Sequence, residues 1–347
     1  MMEEFTNVFL MILLVAGALG VLYVRNLFVA TMLLAAVSFL MALIFVILDA
    51  VDVAFTEAAV GAGISTVLFL GTLSLVGAEE KESKKKTVLP LLVSLIVGGA
   101  LFYATFDMPK VGHPDTPVQS SRLTERFLQQ SPNEIDVPNV VTAVLASYRG
   151  YDTFGEVTVI FTAGIAVLLI LRQLRRRPET EPLEDAQPEL PETASDQRVT
   201  PNIHDLVPHV VAKLLIPFIL LFGLYVQFHG DFGPGGGFQA GVIFAAGIIL
   251  YSLVFGMEYT QKLLPLWVVQ LLLALGVLLY GGVGVVSMLL GANFLDYNVL
   301  ASNPIAGQHL GILLVELGVG ITVTAAMLSI FYGFANRSEF NKQTGEN

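Results

Sequence analysis

The sequence predicts an all-α, polytopic membrane protein of about nine transmembrane helices, and three observations carry that expectation. Only 14% of the 347 residues are charged, against roughly 25% in soluble domains. Hydrophobic residues make up 54% of the chain, and the mean hydropathy is +0.72. The apolar residues also fall in runs of about twenty, long enough to cross a hydrocarbon core of roughly 30 Å as helices. Backbone groups in lipid must pair within their own segment, so such runs span as helices. A secreted enzyme, a cytosolic domain and a conventional DNA-binding protein are excluded, and no nucleic-acid partner is expected.

The candidate spans lie near 5–24, 27–48, 57–77, 88–106, 154–174, 209–228, 238–256, 264–290 and 309–333. The first is long and lacks a small-residue cleavage site, so a signal peptide is not expected. Asp49 and Asp52 fall at the outer end of the second span and in the turn after it. Glu57 is expected to open the third span, its charge facing the positive end of the helix dipole. Lys81, Lys84, Lys85 and Lys86 close the third span, and Arg172, Arg175, Arg176 and Arg177 close the fifth. Placing both basic clusters in the cytoplasm puts the N-terminus outside and the C-terminus, with Arg337 and Lys342, inside. Of the eighteen basic residues only Lys110, Arg122, Arg126 and Arg149 then lie outside.

Two hydrophobic blocks are expected, 1–177 with five spans and 200–347 with four. Residues 178–199 between them are acidic and Pro-rich, too polar to bury a core, and read as a flexible tether. Seven acids and one arginine there contribute −6 of the net −11. Such a tether suggests two subunits fused into one chain. There are no cysteines, which excludes disulfides, thiolate nucleophiles and iron–sulfur ligation. The five histidines are too scattered for a metal site, and no metal or other cofactor is expected.

Ionisable residues near membrane depth cost roughly 2.5–3.5 kcal/mol on insertion scales, so each is a candidate for function. Glu57 is followed by Ala58, Ala59, Gly61, Ala62 and Gly63, small residues that let another helix approach. It is either a helix start or a carboxylate facing protein or water. Arg149, Asp152 and Glu156 gather at the entrance to the fifth span. Asp152 and Glu156, four apart, share a helix face, and Arg149 could neutralise one of them. They form either an interfacial charge cluster or a proton relay. Glu316 is the deepest carboxylate, a third of the way into the ninth span beside Gly311, Gly318 and Gly320. Lys213, one turn into the sixth span, is the cation to test as its partner, although it could snorkel to the surface.

Between the sixth and seventh spans runs His229-Gly-Asp231-Phe-Gly-Pro234-Gly235-Gly236-Gly237-Phe238. It lacks the Gly-Lys-Ser/Thr ending of a phosphate loop. Pro234 fixes one φ while the glycines open other backbone shapes, which predicts a re-entrant or tightly turned connection. His229 and Asp231 could titrate there. The outside segment 107–153 is broken by prolines, and 137–146 is expected along the membrane interface or against a neighbouring subunit.

Taken together, these segments resemble the Mrp-type multisubunit cation/proton antiporters and their relatives in membrane-bound hydrogenase complexes. The stretch from Asp52 to Gly63 looks like the small membrane subunit of such complexes, or the C-terminal part of the large MrpA-type antiporter subunit. The stretch from Asn139 to Glu156 is similar to the element that follows it there. The second block, with His229-Gly230 and Pro234 to Phe238, looks like the MnhB-like subunit of Mrp complexes. The resemblance covers nearly the whole chain except the tether. It implies a membrane subunit of a Na+/H+ antiporter, contributing to the ion or proton route and to assembly. Asp52, Glu57, Arg149, Asp152, Glu156, Pro234 and Phe238 match the family's motifs; Glu316, Lys213 and His229 are nominated on the residues alone. The many additional helices of the MrpA-type subunit are absent, so exchange by this chain alone is not expected. The expected partners are other antiporter subunits, large and small, with the lipid bilayer, Na+ and H+. The expected place is the inner cell membrane, multi-pass, and the chain is not expected to be an enzyme. Two alternatives stand: the pumping arm of a complex-I-like redox enzyme, and a scaffold that only packs its partners.

Overall fold

The computed structural model describes residues 2–80, 88–110, 112–174 and 203–344. Lys81, Lys84 to Lys86, Arg175 to Arg177 and the tether 178–199 lie outside the described residues. Among those described there is no β-strand, and nine helices are long and apolar enough to cross a membrane. In chain order they are α1 (Met2–Tyr23), α2 (Leu27–Ile47), the composite α3, and α4 (Val88–Ala104). They continue with α5 (Gly150–Leu174), α6 (Ile203–His229), α7 (Gly237–Phe255), α8 (Leu266–Leu289) and α9 (Pro304–Thr344).

The composite α3 starts earlier than the sequence suggests. Asp49 takes the left-handed conformation, φ 57°, which Asp tolerates better than most residues. The Ala50 N–H then donates to Phe45 O at 2.9 Å, and the chain reverses within Leu48–Ala50. The helix therefore begins at Val51. Asp52, not Glu57, occupies the first turn where the dipole favours an acid. Glu57 lies almost two turns in, where the α-helix over Val51–Glu57 widens into a π-helix over Ala58–Ile64 before resuming at Ser65–Val76.

α9 is the axis of the bundle, with α3, α5, α7 and α8 packed around it and α6 against α7. One hydrophobic cluster joins Ile64 of α3, Val157 of α5, Val242 and Ile249 of α7, Tyr280 of α8, and Val323 and Leu328 of α9. The core is thus continuous across residues on both sides of the tether. Helix approach is set by small residues. A Cβ on Gly276 would lie 2.7 Å from Gly318 O, and one on Gly318 would lie 2.9 Å from Gly276 O, so α8 and α9 meet backbone to backbone. No residue of α4 is buried.

The connections sort to two ends. At one, an isolated antiparallel bridge joins Asn26 to Glu79, with Leu27 N–H donating to Ala78 O at 2.8 Å. On that side too, Tyr332 Oη donates to Leu264 O at 3.1 Å. At the other, the turns after α6 and α8 meet the segment that precedes α5. There Tyr297 Oη donates to Ala146 O at 2.9 Å and Tyr280 Oη to Gly150 O at 2.7 Å. Residues 137–146 turn one face into this chain and leave Val141 and Leu145 exposed on the other. Val137, Ala143 and Ala146 are buried in this chain's own core, with Tyr297 donating to Ala146 O and Asn139 N–H donating to Asp231 O of the glycine-rich turn.

Candidate functional site

The glycine-rich connection is a tight turn that folds back on the end of α6. The N–H groups of Phe232 and Gly233 both donate to His229 O, at 2.9 and 3.0 Å, and the Gly236 N–H donates to Val226 O at 2.9 Å. Gly236 has φ 109°, a conformation that favours glycine. Pro234 sits mid-turn and Phe238, at the head of α7, packs against the core.

Two groups from the segment before α5 clamp this turn. Asn139 Nδ2 donates to Gly230 O at 3.1 Å and to Gly233 O at 3.0 Å, while Thr142 Oγ1 donates to Gly230 O at 2.6 Å. Asn139 N–H also reaches Asp231 O at 3.0 Å. Asn139→Ala removes one of the two donors to Gly230 O and the side-chain donor to Gly233 O, at about 1–3 kcal/mol. Thermal unfolding of the detergent-solubilised protein is expected to show that loss; a melting curve superposing on the parent's would remove the clamp from the account.

α3 meets the same turn. Asp52 Oδ1 accepts from the Gly235 N–H at 3.3 Å. One turn on, Thr56 Oγ1 donates to Asp52 O at 3.0 Å and accepts from the buried Gln239 Nε2 at 2.8 Å. Glu57 is partly buried and folds over Gly61 beside α2. A Cβ on Gly61 would lie 2.6 Å from both Glu57 Oε1 and Ser38 Oγ. The small residues after Glu57 thus make room for its own side chain as well as for α2.

Glu316 of α9 lies under the turn. A Cβ on Gly230 or on Gly236 would lie 3.1 Å from Glu316 Oε1. The nearby ionisable group is Asp231, whose charge Glu316 senses. Asp231 Oδ1 is buried and has no hydrogen-bond partner among the described residues. Burial raises the Asp231 carboxyl above its usual range, and the charge of His309 partly opposes that. His309 lies two turns before Glu316 on the same face of α9.

Lys213 is not the partner of Glu316. It is exposed and lies seventeen residues before Gly230, about 25 Å along α6. His229 stacks on Tyr225 with centroids 4.8 Å apart, its Nε2 3.0 Å from where a Gly233 Cβ would be.

A second group lies at the head of α5. Arg149 pairs with Asp152, Nη2 to Oδ2 at 2.6 Å, with both side chains about half exposed or more, at 62% and 49%. Glu156, one turn further, is exposed and takes no part in that pair. The Tyr280 hydroxyl, bonded to Gly150 O, lies within electrostatic range of both Glu156 and Glu316. On the same end Tyr148 donates to Glu134, which also pairs with Arg126 at 3.2 Å. Burial and that carboxylate push the Tyr148 hydroxyl up to about 12. Among the described residues no three His, Cys, Asp or Glu gather to hold a metal ion.

The residues on α6 to α9, which carry the turn and Glu316, match the model "Domain related to MnhB subunit of Na+/H+ antiporter" over 207–329. The chain is 35% identical over 130 residues to the putative antiporter subunit mnhB2 of Staphylococcus aureus strain Newman, covering 92% of that relative and 37% of itself. The chain belongs to the MnhB-related family of Na+/H+ antiporter subunits. To its MnhB-related part are joined matches to two MBH families, MbhD over 12–78 and MbhE over 86–188. These two meet at the lysine run, so the first block comprises two family segments. The second of them reaches past residue 177 into the tether.

Longer relatives align across the fusion. A probable K(+)/H(+) antiporter subunit of the combined A/B type from Rhizobium meliloti (strain 1021) is 26% identical over 315 residues, covering 85% of this chain and 30% of the relative. The solved Mrp complex from Dietzia sp. DQ12-45-1b contains a chain that superposes with TM-score 0.69 at 27% identity, covering 93% of this chain and 34% of that one. This MnhB-related chain thus spans about a third of the length of those two proteins.

Proposed function

We propose that this chain is a membrane subunit of a multisubunit Na+/H+ antiporter, working beside separate subunits that supply the rest of the machinery. The observation that carries the reading is the match of 93% of the chain to part of one chain of an Mrp complex. The geometry agrees with a subunit that is completed by others. Asp152 and Glu156 are exposed on the first two turns of a spanning helix, where contact with lipid is unfavourable for a charged group. A neighbouring subunit covering α5 and the bare α4 removes that cost and extends the route past Glu156. Asp52, Glu57, Asp152 and Glu156 are the carboxylates that carry cations or protons in this reading. Arg149 holds Asp152, and the Pro234–Phe238 turn fixes α7 against α3.

The end holding these groups faces outward, and the basic-rich end faces the cytoplasm, following the bias of Lys and Arg. Residues 1–177 and 200–347 act as two fused subunit segments joined by the tether, in the cell membrane. Potassium is a second cation to test, because the relative aligned over 85% of the chain is named a K(+)/H(+) antiporter subunit. Purification of the tagged protein from its own cells with mild detergent, followed by mass spectrometry of the co-purifying chains, tests the assembly. Antiporter-type subunits are expected; nickel–iron or iron–sulfur subunits in the particle would overturn this reading in favour of a redox-driven pump.

A further inference from the structure

We propose that Glu316 is a proton-binding carboxylate under the glycine-rich turn, reached through water held by the buried Asp231 and Gln227. The inference rests on the antiporter reading and names what this part of the chain binds.

The position comes first. Glu316 lies three turns into α9, and the described residues place no lysine or arginine against it, Lys213 being about 25 Å along α6. The charge of Asp231 at the turn reaches Glu316, that of His309 reaches Asp231, and Tyr280 lies within range of the charges of Glu316 and Glu156. Asp52 reaches the same turn through Gly235, with Glu57 further down α3, and His229 is stacked on Tyr225. A carboxylate at that depth is costly and marks a route for protons or ions.

The pocket wall is main chain. Gly230 and Gly236 leave 3.1 Å between their absent Cβ positions and Glu316 Oε1, so the turn covers the carboxylate without filling its surroundings. α7 begins at the next residue, Gly237. The positive end of its dipole sits beside the carboxylate and supports the anion without a paired cation.

Two orphaned polar atoms identify the ligand class. Gln227 is 5% exposed, and its Oε1 lies 2.5 Å from where a Gly320 Cβ would be, one turn from Glu316 on the same face of α9. Its Nε2, a donor, and Asp231 Oδ1, an acceptor, are both buried with no hydrogen-bond partner among the described residues. A dehydrated alkali cation would suit the aspartate and be repelled by the amide N–H. Water accepts from the one and donates to the other. The chemistry of the wall thus favours water carrying a proton over a bare cation. At the outer end the charge of His309 reaches Asp231.

The test uses the intact complex in proteoliposomes, carrying either the parent chain or Glu316→Gln, with subunit content checked by mass spectrometry. Proton movement driven by a sodium gradient is followed with a pH-sensitive dye. Infrared difference spectra between acid and alkaline pH are recorded from the same preparations in H2O and D2O. Glu316→Gln is expected to assemble, to lose exchange by at least about tenfold, and to lose one carboxyl C=O band that shifts in D2O. Equal exchange with an unchanged carboxyl band overturns the site. If Glu316→Gln does not assemble, Glu316→Asp is measured instead; it is expected to exchange with a displaced pH profile, and a profile superposing on the parent's overturns the proposal. A parent complex that moves no protons against sodium or potassium refutes the antiporter reading, and the infrared band then still decides whether Glu316 titrates through water.

Discussion

Replacing Gly237 by alanine is expected to cost about 3 kcal/mol, at the upper end of overpacking effects, and to separate α7 from α9. The new Cβ would lie 2.0 Å from Glu316 O and 3.0 Å from the Gly320 N. Both are main-chain atoms of the bundle's central helix, so no side chain can swing aside to admit the methyl. The helices must part, and the turn over Glu316 moves with them. Gly282→Ala on α8 is the control, because nothing lies within 4 Å of its added Cβ; there the better helix propensity of alanine is worth up to about 1 kcal/mol. Thermal unfolding of both variants in the same detergent decides the matter. Equal melting temperatures would mean that α7 and α9 are not locked through this contact.

The largest effect on activity is expected from Glu57→Gln and Glu156→Gln. Glutamine keeps the shape of glutamate, so the contact over Gly61 and Ser38 survives at position 57, and Glu156 takes no part in the Arg149–Asp152 pair. What is lost is the ability to take up a proton or face a cation, and sodium-driven proton exchange is expected to fall at least about tenfold with assembly intact. Arg149→Ala should by contrast cost little stability, since an exposed pair is worth at most about 1 kcal/mol. Exchange unchanged in both glutamine variants, with a full complement of partners, would leave the carboxylates a packing role and favour the scaffold alternative.

The spanning helices were legible because lipid imposes a length, and runs of about twenty apolar residues have few other uses. Their ends were less so. The start of α3 depends on one left-handed aspartate, Asp49, whose conformation no periodicity announces. The π-helix over Ala58–Ile64 is equally silent, since small apolar residues fit an α-helix as well. The carboxylates could be nominated one by one from their cost in a membrane, but their grouping could not. Asn139 and Thr142 reach Gly230 from about ninety positions away, a contact only the tertiary fold makes. Lys213 failed as a partner for a reason the sequence did contain: its level along α6 lies far from the turn. His309 was overlooked although its seven-residue spacing from Glu316 places both on one helix face.

The π-helix in α3 also fixes how that helix is phased. Each residue of a regular α-helix turns the chain by about 100°, and a wide turn holds an extra residue without passing that rotation on in full. Asp52, which meets the turn after α6, and Gly71, which faces Phe334 of α9, are therefore held in a relative azimuth that an unbroken helix of this length would not produce. Deleting one residue from 58–64 is compatible with a continuous helix but rotates one half against the other. Either the polar end or the apolar end would then face the wrong neighbour. The wide turn acts as an angular spacer between the half of α3 that reaches the carboxylates and the half that anchors it in the bundle.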